Sequence, residues 1–121
     1  MRLHSIKTCT KRRDGVVGMQ LFLTSDPQDD ASPAIALDPI GLVDDVSCET
    51  VIANGLTDIK LVTDDDEIGI EYTVGDEKKE FGDVDHDFSK VTFSDEKPII
   101  GLYGKVNDGK LSLVGFLTLN K

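Results

Sequence analysis

Tryptophan is missing from this chain, and aromatic residues make up only 6% of it. Its interior must therefore be filled by Val, Ile and Leu, the side chains that suit pleated sheets. Histidine occurs twice, at His4 and His86, and cysteine twice, at Cys9 and Cys48. Four such residues scattered along the chain cannot supply the closely spaced ligands of a zinc site. They also give no sign of a Ser or Cys nucleophile oriented by a base, so catalysis is not expected. No apolar run approaches the about 18 residues of a membrane-spanning helix, and no apolar core of a signal peptide stands at the N-terminus. Arginine is absent after residue 13; all three arginines, with Lys7 and Lys11, fall at the start of the chain. The remainder is strongly acidic, and the formal net charge is −10. Such a body repels phosphate backbones and excludes nucleic acid as a partner. The charge serves solubility, or it lets the basic first strand dock on an acidic sheet edge or on a partner.

What is present repeats. Asp14-Gly15 leads into Val16–Thr24, Asn54-Gly55 into Leu56–Thr63, and Asp108-Gly109 into Lys110–Thr118. Each time a turn pair precedes a strand that closes on Thr, and the glycines lie 40 and 54 residues apart. One supersecondary unit used three times is the natural reading. Strand signals dominate elsewhere too. Met19, Leu21 and Leu23 alternate with Gln20 and Phe22; Ile68, Ile70, Tyr72 and Val74 alternate with Gly69, Glu71 and Thr73. That period of two marks half-buried strands. Val91–Phe93 and Ile99–Tyr103 read as further strands, and Gly75–Lys79 as a hairpin loop. Ser25–Asp45 carries Pro27, Pro33 and Pro39. Proline cannot donate to a ladder, so an irregular crossover is expected there, with edge strands around Ala34–Leu37.

The C-terminal third resembles a known family. Lys97-Pro98-Ile99-Ile100-Gly101-Leu102-Tyr103-Gly104-Lys105, followed by Gly109-Lys110-Leu111-Ser112-Leu113-Val114-Gly115-Phe116, is similar to the closing hairpin of jacalin-related lectins. Leu56-Thr57-Asp58-Ile59-Lys60-Leu61 resembles a strand of the same family. Leu3-His4-Ser5-Ile6-Lys7-Thr8-Cys9 is similar to the opening of vitelline membrane outer layer proteins. The resemblance implies one all-β domain over residues 1–121: a β-prism of three antiparallel Greek-key sheets with pseudo-threefold symmetry. It also implies a sugar site closed by an Asp in the last hairpin, but Ser112 stands at that place here. A lone hydroxyl holds sugar hydroxyls less well than a carboxylate.

Two acidic runs, Asp64–Glu67 and Asp83–Asp87, invite a calcium reading. Neither fits a helix-flanked twelve-residue loop: where the second run would need Gly stands Phe88, and no Glu closes it, so a solvated surface is the plainer account. Cys9 and Cys48 sit six and seven residues before their turn glycines, where the third repeat has Tyr103. They form a disulfide, which would favour an extracellular or secretory setting, or remain two buried thiols. The expectation is therefore a non-catalytic module without cofactor or metal, binding carbohydrate through Lys105, Asn107, Asp108 and Ser112 at one end of the prism. The alternative is a structural domain of a larger complex or coat, binding a protein partner or assembling as a homo-oligomer. Asn107-Asp108-Gly109 is also what a tight hairpin needs.

Overall fold

A computed structural model describes residues 2–11, 15–24, 35–44, 46–64, 67–84, 87–94, 96–108 and 110–118. Among them every regular element is a β-strand: β1 (Arg2–Lys11), β2 (Gly15–Thr24), β3 (Ile35–Ala36), β4 (Ile40–Gly41), β5 (Ser47–Ile52), β6 (Leu56–Asp64), β7 (Glu67–Val74), β8 (Glu77–Phe81), β9 (Ser89–Lys90), β10 (Ile99–Asn107) and β11 (Lys110–Thr118). The chain is all-β. Its strands form a nine-stranded sheet in the order β5-β1-β2-β7-β6-β9, with β3 and β4 also on β2 and β8 on β7, and a separate two-stranded sheet β10-β11. The large sheet has two antiparallel wings, joined by a parallel pairing of Gly15 with Ile68.

Three long hairpins organise the molecule: β1-β2, β6-β7 and β10-β11. They share a register. One extra residue is inserted near the start of the first strand each time, at His4, Thr57 and Ile100. Beyond that bulge the cognate pairs are Ile6 with Leu21, Ile59 with Tyr72, and Leu102 with Phe116. A bulge re-aims the strand and increases its twist, so three at one position bend three hairpins alike. A second bulge is shared by the first and third hairpins only, at Val17 and Ser112.

The repeated unit is thus a hairpin, and this shifts one reading of the sequence. Gly15 opens the second strand of the first hairpin, and the Asp108 turn leads into the second strand of the third. Asn54-Gly55 instead precedes the first strand of the second hairpin. The turn of that hairpin lies in the acidic run, where Asp64 pairs with Glu67. Asn-Gly and Asp-Gly mark tight turns wherever they fall, so they misaligned the middle copy. Asp14, Gly109, Asp65 and Asp66 lie outside the described residues.

The inward residues of the hairpins make one aliphatic core: Ile6, Met19, Leu21, Ile59, Ile68, Ile70, Tyr72, Leu111 and Val114 are all buried. Tyr72 is the fully buried aromatic at its centre. Its hydroxyl lies 2.9 Å from Oγ1 of the buried Thr8, and its ring meets Phe81 edge-on at 5.7 Å. Burial pushes the Tyr72 hydroxyl well above the usual tyrosine range, an effect that the Thr8 hydrogen bond opposes.

Backbone approaches hold the wings closed. Leu42 N donates to the Val17 carbonyl at 2.9 Å. A Cβ on Gly18 would collide with the Leu42 carbonyl, and one on Gly69 with that of Asp83. These glycines are cognate, each directly before the buried Met19 or Ile70. The Pro-rich stretch reaches β2 through Ile35–Ala36 and Ile40–Gly41, much as expected of an edge excursion. Pro27 and Pro33 lie outside the described residues. Val91–Phe93 is not a strand; Val91 N donates to the Ile59 carbonyl, and the ladder there is the short β9. His4 is buried, because the bulge interrupts alternation at that residue. The first strand is also no free edge, since β2 and β5 flank it.

Cys9 and Cys48 are joined by a disulfide. They meet as directly opposed residues of β1 and β5. Neighbouring strands of one sheet bring them together, and the cognates of Cys9 in the other hairpins are Val62 and Lys105.

Candidate functional site

The outer faces of the three hairpins differ more than their inner ones. At the central outward position of the first hairpin Lys7 faces Gln20, and in the second Lys60 faces Glu71. Gln20 Nε2 donates to the Leu37 carbonyl at 2.8 Å. Glu71 is nearly buried between Lys60 at 3.8 Å and Lys78 at 3.7 Å, and the Lys60 ammonium lies 4.6 Å from the Phe88 ring centre. Both central pairs are polar, and neighbouring strands flank both hairpins.

In the third hairpin the cognate pair is Tyr103 with Gly115. No side chain projects from Gly115, and a Cβ there would run into the Tyr103 ring. The ring therefore lies across the glycine, covering backbone that would otherwise face water. Its other side is open: Tyr103 is 52% exposed. Leu113 and Leu117, two positions either side of Gly115, share this face, and Leu117 is 46% exposed. Gly101 pairs with Leu117 and Lys105 with Leu113, which completes a six-residue outer surface. Ile100, on the first bulge, and Val106, past the second, extend its apolar margin. Among the described residues no other hairpin exposes so many large apolar side chains.

The four residues expected to bind ligand occupy the tip of this hairpin. Lys105, Asn107 and Asp108 are exposed there. Asp108 adopts a φ of 54°, the left-handed conformation that an Asp-Gly turn demands and that Asp tolerates better than most residues. Ser112 is different. It is the residue of the second bulge, it is nearly buried, and its hydroxyl donates to the Lys105 carbonyl at 3.2 Å. That bond pins the bulge and leaves the hydroxyl turned inward. The structure thus gathers three of the four at the tip and makes the fourth a brace beneath Lys105.

Tyr103, Leu113, Gly115 and Leu117 escaped sequence reasoning as a group. The signal was present: Leu111–Leu117 is apolar at both odd and even positions, which in a strand means two apolar faces. Only one of them can turn to the core.

Among the described residues no group of three or more His, Cys, Asp or Glu is placed to hold a metal ion. Asp85 and His86 of the second acidic run lie outside the described residues, as do Arg12 and Arg13 of the basic start. No helix of the described residues is long and apolar enough to cross a membrane. Compared with known proteins, the chain matches no family model, no curated protein and no solved structure.

Proposed function

We propose that this chain is a non-catalytic recognition and assembly module whose working surface is the outer face of the third hairpin. Its three hairpins would stand as the three sheets of a β-prism around the common aliphatic core, the architecture that the likeness to jacalin-related lectins and vitelline membrane outer layer proteins implies. The shared bulge and the shared inward pairs support that arrangement. A rigid scaffold with one distinctive face suits binding better than chemistry.

One observation carries the choice of surface. Tyr103, Leu113 and Leu117 lie exposed together, whereas the cognate positions hold Lys7, Gly18 and Phe22 in the first hairpin and Lys60, Gly69 and Thr73 in the second, none of them a large exposed apolar side chain. Contiguous apolar surface on a chain with a −10 charge is costly to leave in water, and such patches mark interaction sites. A protein partner is the ligand that this face fits best.

A carbohydrate is the second reading, favoured by the open side of the Tyr103 ring beside Lys105, with Asn107 and Asp108 at the tip. An aromatic face with polar groups at its border can take a sugar's apolar and hydroxylated sides together. Ser112 has no part in it, its hydroxyl being engaged beneath Lys105.

Panning a random peptide library against the intact chain tests the first reading. Bound peptides should lose about tenfold or more in affinity for Leu113→Asp or Leu117→Asp variants of unchanged Tm. Peptides indifferent to both changes would move the working surface elsewhere. On a glycan array, binding that vanishes in Tyr103→Ala carries the carbohydrate reading, and a blank array removes it.

A further inference from the structure

The flanks of the three hairpins set the third apart. Strand β5 runs antiparallel along β1 over Ser5–Thr10, and β9 runs antiparallel along β6 at Lys60 and Leu61. The second strands are flanked as well, β2 by β3 and β4, and β7 by β8. Neither β10 nor β11 has a flanking strand among the described residues. Counted from the shared bulge, the stretch of β10 cognate to Ser5–Thr10 is Gly101–Val106, and the cognate of Lys60 is Tyr103. From Tyr103 to Asn107 every residue of β10 is exposed, whereas of the cognate Lys7–Lys11 only Lys11 is exposed and Thr8 and Cys9 are buried.

We propose that a second copy of this chain fills that place, β10 pairing antiparallel with β10 of its partner about a twofold axis at Tyr103. This deepens the reading of the third hairpin as the working surface and rests on it. An open strand edge carries unpaired N–H and C=O groups and is a template for another strand. Antiparallel is the sense in which β5 and β9 meet the cognate strands, and it is the sense that a twofold axis imposes on two identical strands.

The register about Tyr103 is self-complementary. It sets Tyr103 beside Tyr103 of the second copy, on the face where cross-strand aromatic pairs stabilise sheets. It sets Lys105 opposite Gly101, and Leu102 opposite Gly104, so that each larger side chain meets a glycine. The two Lys105 ammoniums then stand four residues apart along the strands, roughly 13 Å, beyond the about 10 Å over which salt lets charges interact.

Charge points to the same hairpin. Residues 99–118 hold Lys105, Lys110 and Asp108 as their only charged groups, in a chain of net charge −10. Two copies therefore repel least when they approach through this hairpin. One strand edge is small against the roughly 800 Å² per partner of a standard interface, so the association is weak and salt strengthens it.

Cysteine cross-linking of the full chain reads the register directly. Under a mild oxidant Tyr103→Cys should yield a disulfide-linked dimer. Lys105→Cys should remain single, its two thiols being roughly 13 Å apart. Peptide mapping must find the Cys9–Cys48 bond intact in both. Cross-linking of both variants alike, or of neither, overturns the proposal. For the unaltered chain, sedimentation should show mass rising from about 10 µM to about 1 mM, more at about 0.5 M salt than at about 0.05 M. A chain that stays monomeric throughout, yet binds peptides in a Leu113- and Leu117-dependent way, overturns self-association and leaves the recognition reading standing.

Discussion

In the second hairpin Lys60 faces Glu71 across the strands; at the cognate place in the third, Tyr103 faces Gly115. The same bulge precedes both pairs, and the same kind of residue lies beneath them, Ile59 with Tyr72 in one and Leu102 with Phe116 in the other. Yet β8 and β9 flank the second hairpin, and its outer charges are neutralised between Glu71 and two lysines. The third has no flanking strand among the described residues and presents an apolar outer face. A buried side is common to both because folding demands it. An outer side that departs from the pattern answers to something other than folding.

The largest effect should separate the two tyrosines. Tyr72→Ala removes a fully buried ring and should cost about 3–5 kcal/mol, read as a lower midpoint in urea unfolding. Tyr103→Ala removes a surface ring and should stay within about 1 kcal/mol. Equal losses would break the distinction between core and working face.

Next comes the flank of the first hairpin, which has no counterpart on the third among the described residues. The Cys9–Cys48 bond closes a separation of 39 residues, and replacing both cysteines by serine should cost about 2–4 kcal/mol. Hydrogen exchange should rise along β1 and β5 in that variant and stay unchanged along β10.

A smaller loss, about 1–2 kcal/mol, is expected for Tyr72→Phe, which leaves the buried Thr8 hydroxyl without its partner. This change also carries a pH signature. The Tyr72 hydroxyl holds its proton in the fold to higher pH than in the unfolded chain, where it ionises near about 10. Above that pH the unfolded state binds fewer protons, so stability falls as pH rises. The unfolding midpoint of the parent should drop more steeply beyond about pH 10 than that of Tyr72→Phe.

The smallest effect on stability is the most pointed. Tyr103→Lys combined with Gly115→Glu writes the outer pair of the second hairpin onto the third. Removing the ring clears the space that a side chain at Gly115 needs. Exposed cross-strand ion pairs contribute little, so unfolding should move by less than about 1 kcal/mol. Peptide binding and the dimer should both disappear. Retention of either would show that the apolar face is not what recruits a partner.

The amino-acid sequence alone determined that the chain is all-β, that β2, β7 and β11 are strands, and that a hairpin closes on Asn107-Asp108. Those features are local: alternation of period two and turn chemistry act within a few residues. Tertiary structure decided which strands are cognate, because bulges at His4, Thr57 and Ile100 depend on partners across the ladder. It decided that Cys9 meets Cys48 on an adjacent strand, a contact set by sheet order. It turned Ser112 inward as the brace of Lys105 and left Tyr103 outside over Gly115. Whether an apolar strand residue faces core or water depends on what packs against each side of its sheet. No spacing along one chain records that.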